Sequence, residues 1–402
     1  MIDSVPLTDL PRVRLKPKAN ARGIRHGFPW VYANDLVTDR RTRAMEAGTI
    51  AVLEDDKRSS LGLVAVNPGS KIICRMLDRD PSARLDTGWF QTRLARALAL
   101  RQRLFPDPFY RLVHAEADGL PGLIIDRFGE TCVVQPNAAW AERHLGPLTD
   151  ALVAVTGVTT VLKNAGGRTR ALEGLDDLSG VLRGTVPSAP IPVPMNGATY
   201  MADLTGGQKT GLFFDQRPNH AFAARLAAGA RVLDVFSHVG GFALAALAGG
   251  AASALSVDGS APALALAEQG AAAGGMAARF TTRQGDAFDV LSALGTEGAR
   301  FDVVICDPPA FAPSKSALEP GLRAYERIAR LAAPLVASDG YLCLCSCSHA
   351  ADLGRFHAAS ARGIGRGGRQ AQLIHTGFAG PDHPQLPQLA ESGYLKSLFF
   401  RL

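Results

Sequence analysis

Cysteine is scarce, six in 402 residues, without the density of a disulfide scaffold, and this excludes a small secreted domain. An apolar leader is missing: in MIDSVPLTDLPRVRLKPK, Asp3, Asp9 and the prolines interrupt the chain before a hydrophobic segment develops. The expected location is therefore the cytoplasm, with no membrane partner. No run reads as a membrane span either. The longest uncharged stretch, Val239–Val257, is mostly Ala and Gly, and Asp234 and Asp258 bracket it. It predicts helix, turn and buried strand. Charge of one sign is not concentrated: 43 Lys and Arg against 37 Asp and Glu leave a net +6, which permits an anionic partner without identifying one. At 47% hydrophobic and 20% charged residues, the chain can bury sizeable cores and is neither fibrous nor extensively disordered.

The length suits two or three domains, and three patterns follow one another along the chain. Short β-rich runs at Arg12–Leu15, Thr49–Leu53 and Gly62–Val66 predict a small β-domain over residues 1–76. Between Arg12 and Arg43 it carries nine Lys and Arg against Asp35 and Asp39 alone, with Phe28, Trp30 and Tyr32 interleaved. Basic groups among aromatics can meet phosphates and unstacked bases. Equally, the aromatics can fill the core of a small barrel. Residues 77–188 predict a compact α+β domain: a basic amphipathic helix Thr87–Leu104, a strand pair turning at Gly129, a helix Ala139–Leu152 and a strand Thr160–Lys163. Asp118 and Asp126 read there as turn and strand residues rather than catalysts. The proline-rich Ser188–Met195 marks a boundary, and residues 189–402 follow as a third domain.

From Ala230 onward strands alternate with helices: RVLDVF, SALSVD, a strand near Arg279–Thr282, FDVVICD, a helix Leu322–Val336 and GYLCLCS. This predicts a predominantly parallel, doubly wound α/β sheet, whose ligands sit beyond the C-terminal strand ends. Each of those ends is polar. Asp234 is followed by Phe236, Ser237 and a glycine bend at Gly240 that lets backbone approach a ligand. The G-x-G-x-x-G fingerprint and the Walker A signature are both missing, which weakens dinucleotide and ATP readings. Asp258 ends the second strand, where a carboxylate can accept both ribose hydroxyls of a nucleoside, and Asp286 follows the third, within reach of an adenine edge.

The fourth strand leads to Asp307-Pro308-Pro309-Ala310-Phe311, two prolines stiffening the loop that aims the carboxylate. The fifth carries Cys343, Cys345 and Cys347 at a spacing of two, on one strand face, so periodicity alone does not select a reactive thiol. Cys347 lies nearest the ligand end, and Cys345 is the reserve. Zinc is disfavoured, because neighbouring thiols on one strand are poorly placed for tetrahedral ligation and no C-x₂-C knuckle is present; no metal is expected. Ahead of the sheet, Gly206–Asn219 is dense in polar groups and predicts a wall facing the ligand.

Together the segments HGFPWVY, EADGLPGLIIDR, GGQKTGLFFDQRPNH, DVFSHVGGFA, SVDGS, CDPPAFAPSK, CSCSH, DHP and GYLK resemble class I S-adenosylmethionine-dependent methyltransferases. More narrowly the chain resembles the 23S ribosomal RNA large-subunit cytosine-5 methyltransferases typified by methyltransferase I. The resemblance spans nearly the whole chain. It implies a Rossmann-like methyltransferase domain preceded by a PUA-like β-barrel and an α+β middle domain. Its cofactor would be S-adenosylmethionine and its partner ribosomal RNA, while a homodimer stays open.

By the same resemblance, Asp234, Phe236, Ser237 and Gly240 would border the methionine portion of the cofactor. Asp258 would hold the ribose, Asp286 the adenine, and Phe213, Asp215 and Arg217 the entrance. Gln208, Lys209, Pro308, Pro309 and Phe311 would face the target nucleotide. Asp307 would hold the base and Cys347 would add to cytosine C6. The residue pattern departs from relatives that place a second cysteine after the loop prolines: here Cys306 precedes Asp307 and Pro309-Ala310 follows, implying a single-cysteine mechanism. A PUA-like domain implies phosphate contacts at Lys16, Lys18, Arg22 and Arg25, and Arg355–Arg369 offers a second basic stretch. A methyltransferase acting on another base or RNA, and a catalytically idle RNA-binding protein, are the competing readings.

Overall fold

A computed structural model describes residues 10–206 and 211–402. The chain divides into two compact units, one of Met1–Val186 with Asp382–Ser392 and one of Pro187–Pro381 with Gly393–Leu402. The expected Gln208 and Lys209 lie outside the described residues.

The first unit contains two five-stranded sheets. In the N-terminal one the strands lie in the order Arg12–Arg14, Thr49–Glu54, Ser60–Val66, Ile72–Asp78 and Trp30–Tyr32. Its interior is aliphatic, built on Val13, Leu15, Ile24, Val31, Leu53, Val64 and Ile73. Of the two readings of the aromatics, filling of this core is not the one the fold adopts. Phe28, Trp30 and Tyr32 gather instead at the surface, with ring centroids 6.4 to 6.5 Å apart, and line a cavity of about 160 Å³. The indole of Trp30 is held from its edge, donating to Glu116 Oε1 at 2.8 Å.

The opposite face of this sheet is apolar too. Val52, Leu63, Ala65 and Leu77 join Trp89, Phe90 and Leu94 in one continuous core. The last strand accordingly runs through position 76, where composition alone suggested a boundary. The Thr87–Leu104 helix forms as its periodicity predicts, with the Asp86 carboxylate accepting the Trp89 N–H. The expected helix over Ala139–Leu152 is instead two pieces, Ala139–Arg143 and Leu145–Thr156, meeting at His144. Asp118 and Asp126 pair with arginines inside the unit. Arg101 reaches both carboxylate oxygens of Asp118 at 2.6 and 2.8 Å, and Arg111 those of Asp126 at 2.5 and 3.0 Å.

The second unit carries a seven-stranded sheet. Its spatial order is Phe280–Gln284, Ser253–Asp258, Arg231–Val235, Phe301–Cys306, Val336–Ser346, Lys396–Arg401 and Gln372–Gly377. The first five are parallel, and Lys396–Arg401 runs antiparallel to both of its neighbours. Helices cover both faces because each parallel step requires a crossover. The strand order reverses between Arg231–Val235 and Phe301–Cys306, which opens a crevice beyond their C-terminal ends. The helix expected at Leu322–Val336 occupies Leu318–Ala332. Pro334 lacks the N–H to continue it, and Val336 already belongs to the next strand. No helix among the described residues is long and apolar enough to cross a membrane.

Candidate active site

Two strand ends meet at the reversal point. The Asp307 N–H donates to the Val235 carbonyl at 3.1 Å, joining the Asp-Pro-Pro loop to the glycine bend. Phe236 and Phe311, further along the two segments, meet edge to face with centroids 6.4 Å apart, and Phe311 also packs on Tyr325 at 5.1 Å. The bend itself is tightly wound. Phe236, His238 and Gly240 all have left-handed φ, of 63°, 50° and 79°. For the first two this is a strained conformation of the kind that concentrates at ligand sites.

Gly240 has a second duty that its sequence context conceals. A Cβ there would come within 3.1 Å of Leu244 Cγ and 3.2 Å of Ala267 Cβ, so helix packing also leaves little room for a side chain. Asp234 is fully buried beneath the bend. Its Oδ2 accepts the Ala243 N–H at 2.9 Å, anchoring the helix Gly241–Ala248, while its Oδ1 has no protein partner. Burial pushes the carboxyl up to about 7, against the opposing pull of the Ala243 hydrogen bond. The Ser237 hydroxyl nearby is likewise buried without a partner.

Asp258 is half-buried at the end of its strand. Oδ2 accepts the His238 N–H at 2.9 Å and Oδ1 the Ser260 N–H at 2.8 Å, so the bend is laced to this carboxylate. Asp286 is exposed and caps the helix Ala287–Thr296, accepting the N–H groups of Phe288 and Asp289 on one oxygen. Both therefore have structural duties, and each carboxylate keeps lone pairs for a ligand.

Across the bend, Phe213 meets the His238 ring edge-on at 5.0 Å. The Asp215 carboxylate accepts the Tyr394 hydroxyl at 2.6 Å, and the Arg217 guanidinium lies over the Phe214 ring at 5.4 Å. Unpartnered buried acceptors beneath a glycine bend, a strand-end carboxylate and flanking aromatic rings fit the polar amino-acid end, the ribose and the base of S-adenosylmethionine.

The thiols separate cleanly. Five of the six cysteines are buried, and Cys347, one residue beyond the strand Val336–Ser346, is partly exposed. Cys343 and Cys345 keep their sulfurs 3.7 Å apart inside the sheet, and Cys345 also meets the Ser397 hydroxyl at 3.2 Å. Burial raises the pKa of Cys306, Cys343 and Cys345 and keeps them protonated. Among the described residues no group of three or more His, Cys, Asp or Glu is placed to hold a metal ion.

Cys347 is flanked by a hydroxyl network that sequence reasoning missed. Ser346 Oγ donates to the Tyr325 hydroxyl at 2.9 Å, which lies 2.7 Å from Ser348 Oγ. Ser348 Oγ in turn accepts the Ala312 N–H at 2.9 Å. The loop bearing Cys347 is thereby fastened to the loop bearing Asp307. No local signal marks Tyr325, which occupies an ordinary amphipathic helix position.

Known proteins resemble the chain over nearly its whole length. Residues 135–401 match the family model of S-adenosylmethionine-dependent methyltransferases, and residues 13–79 match a PUA-like domain. Ribosomal RNA large subunit methyltransferase I of Alteromonas mediterranea is 36% identical over 96% of this chain and 98% of its own. The enzyme of the same name from Shewanella denitrificans is 34% identical over 97% and 99%.

The chain belongs to the ribosomal RNA large subunit methyltransferase I family.

It is an S-adenosylmethionine-dependent methyltransferase with a Rossmann-like catalytic domain and an N-terminal PUA-like domain. At the level of fold, it superposes on a protein from Streptococcus mutans described as a candidate methyltransferase of this class, with a TM-score of 0.82 at 19% identity, covering 98% of this chain and all of the other. A methyltransferase solved with S-adenosylhomocysteine gives 0.83 at 20% identity over the same shares. Within the family frame, the basic residues of the PUA-like domain are not equivalent. All four are exposed, but Lys16 donates to the Asn34 carbonyl and Arg25 pairs with Asp55.

Proposed function

We propose that the protein methylates C5 of a cytosine in 23S ribosomal RNA, with Cys347 as a covalent nucleophile at C6. The observation that carries this reading is that Cys347, alone among the thiols, is partly exposed at the strand end beside the Asp-Pro-Pro loop. Family membership supports the RNA class, since the relatives are named for ribosomal RNA.

Cytosine C5 is too weak a carbon nucleophile to be methylated directly. Addition of the Cys347 thiolate to C6 forms an S–C6 bond and moves the ring π pair toward C5. Asp307, on its rigid proline loop, would in its protonated form donate a hydrogen bond to N3 and so favour the negative charge developing there. S-adenosylmethionine, when bound, would supply an electrophilic sulfonium methyl, which C5 would take as the S–CH3 bond breaks and leaves its electron pair on sulfur. Loss of the C5 proton to a base and departure of Cys347 with its electron pair then restore the aromatic ring. Asp234, Phe236, Ser237, Gly240, Asp258, Asp286, Phe213, Asp215 and Arg217 would hold the cofactor. Pro308, Pro309 and Phe311 would border the base. Lys16, Lys18, Arg22 and Arg25 would meet RNA phosphates, in the cytoplasm where ribosomes are assembled.

The test is to incubate the protein and labelled S-adenosylmethionine with RNA from cells lacking the gene, then map the methyl group by mass spectrometry. Label on C5 of a 23S cytosine is expected. Label in another base would sink the C5 mechanism, and a fully active Cys347→Ala enzyme would remove the nucleophile.

A further inference from the structure

We propose that Lys396 is a positioning residue for methyl transfer, whose buried ammonium fixes the loop carrying Cys347 and favours the thiolate form of that thiol. The proposal rests on the reading of Cys347 as the nucleophile. It concerns a residue at the start of the last strand in the chain, 49 positions further on.

Strand pairing brings Lys396 to the site. The antiparallel strand Lys396–Arg401 sets Lys396 directly opposite Ser346, the residue before Cys347. Lys396 is only 5% exposed. Its Nζ donates to the Ser348 carbonyl at 2.8 Å and to the Ala351 carbonyl at 2.7 Å, so the turn just beyond the thiol is clamped by one cation. Combined with the Ser346–Tyr325–Ser348 hydroxyls, this holds both residues adjoining Cys347.

The clamp has an unusual electrostatic composition. Neutral carbonyls satisfy two of the three ammonium donors but do not cancel its charge. Among the described residues Lys396 makes no ion pair with a carboxylate. Asp352 acts on it electrostatically, but that side chain caps the helix Leu353–Arg366 by accepting the Arg355 N–H at 2.8 Å. A buried, uncompensated ammonium is costly, and a nearby anion relieves the cost. Burial pulls the Lys396 pKa down, and the charge of Cys347 pulls it back up more than any other neighbour. Such an interaction is mutual: whatever favours the ammonium beside a thiolate favours the thiolate beside the ammonium.

The other groups around the thiol do not supply this. Tyr325, on the helix Leu318–Ala332, is kept neutral by burial. Asp307, on the neighbouring strand end, and Asp352 are anionic when ionised and oppose a thiolate. Cys343 and Cys345 are buried and protonated, and His349 on the same loop is exposed. Lys396 is the buried cation of the group. Ionisation of Cys347 releases its proton to solvent at the partly exposed edge, leaving the electron pair ready for C6.

The test reads thiol ionisation directly. Native wild-type, Lys396→Met, Lys396→Gln and Lys396→Arg enzymes are alkylated with iodoacetamide across a pH series, and Cys347 modification is followed by peptide mass spectrometry. The five other thiols are buried, and Cys347→Ala provides the blank. The Met and Gln variants are expected to shift the alkylation midpoint upward by about one pH unit or more, a tenfold loss of thiolate below the midpoint, and Arg to restore most of it. Coincident midpoints in folded variants would overturn the proposal. Should the Met and Gln variants fail to fold, the ultraviolet thiolate absorbance of the wild type, less that of Cys347→Ala, decides. A midpoint below the ordinary thiol value of about 8.5 supports the proposal and one at or above it overturns it. Full methyl transfer by Cys347→Ala would refute the nucleophile itself, an outcome these titrations are independent of.

Discussion

The hydroxyl of Tyr325 lies 2.7 Å from that of Ser348, and through it a helix in the middle of the sheet domain holds the residue next to Cys347. Ser348 also accepts the Ala312 N–H, so one hydroxyl joins the thiol loop to the Asp-Pro-Pro loop. Tyr325→Phe removes the centre of this network while keeping the ring packed on Phe311 and Phe356. Methyl transfer is expected to fall roughly tenfold in kcat, because a misplaced nucleophile loses near-attack geometry. KM for S-adenosylmethionine should change little. Chemical unfolding should show a loss of roughly 1–3 kcal/mol, the cost of the buried hydroxyls left without their partner. An unchanged kcat would show that the network does not position the thiol.

The two strand-end cysteines should behave oppositely. Cys345 is 1% exposed and engaged with Cys343 and Ser397, so Cys345→Ala should keep transfer within a fewfold of wild type. The small cavity should cost roughly 1–2 kcal/mol of stability. With RNA carrying 5-fluorocytosine, whose C5 fluorine cannot leave as a proton, Cys345→Ala should form an adduct that survives denaturing electrophoresis. Cys347→Ala should form none. An adduct in the second variant would reassign the nucleophile.

Asp234 predicts an inverted pH dependence for the cofactor-free protein. Burial raises its pKa from 3.8 to about 7, so the folded state binds a proton that the unfolded state releases. Stability from this group is complete below pH 4 and declines as pH rises through 7. The integrated difference is on the order of 4 kcal/mol. Asp234→Asn keeps an oxygen for the Ala243 N–H without the charge. Relative to wild type, the variant should gain stability progressively between pH 4 and 7, as measured by urea unfolding at each pH. A parallel pair of pH profiles would contradict the assignment.

In the first unit, Arg101 is fully buried, grips Asp118 and donates to the Asp382 carbonyl at 2.8 Å. Arg101→Met should destabilise this unit by roughly 3–5 kcal/mol, because the Asp118 carboxylate stays buried without its guanidinium. Urea denaturation followed by tryptophan fluorescence reads it directly, since Trp89 and Trp140 sit in the core of the same unit. A loss below about 1 kcal/mol would mean that solvent reaches the pair.

Sequence by itself determined a good deal. Alternating apolar strands and helices imposed the parallel sheet, because local periodicity and crossover geometry leave few other packings. Asp258, Asp307 and Cys347 were legible as strand-end positions, because each falls where a strand pattern stops and a turn begins. The Asp86-capped helix Thr87–Leu104 was legible for the same reason, its signal being local. The rest depended on contacts between distant segments. Phe28, Trp30 and Tyr32 lie within a basic stretch of chain in a way that suits either a core or a surface. The aliphatic core formed by Val13, Ile24 and Val64 decided for the surface. Cys343, Cys345 and Cys347 share one periodicity, and only the end of the strand at Ser346 separated the buried thiols from the partly exposed one. Tyr325 carried no signal, and Lys396 stood only as the last residue of the GYLK segment with no role attached, since neither is near Cys347 in the chain. Register across the antiparallel last strand and the packing of one helix bring them beside it, and burial then gives a hydroxyl and an ammonium effects that they would not have in water.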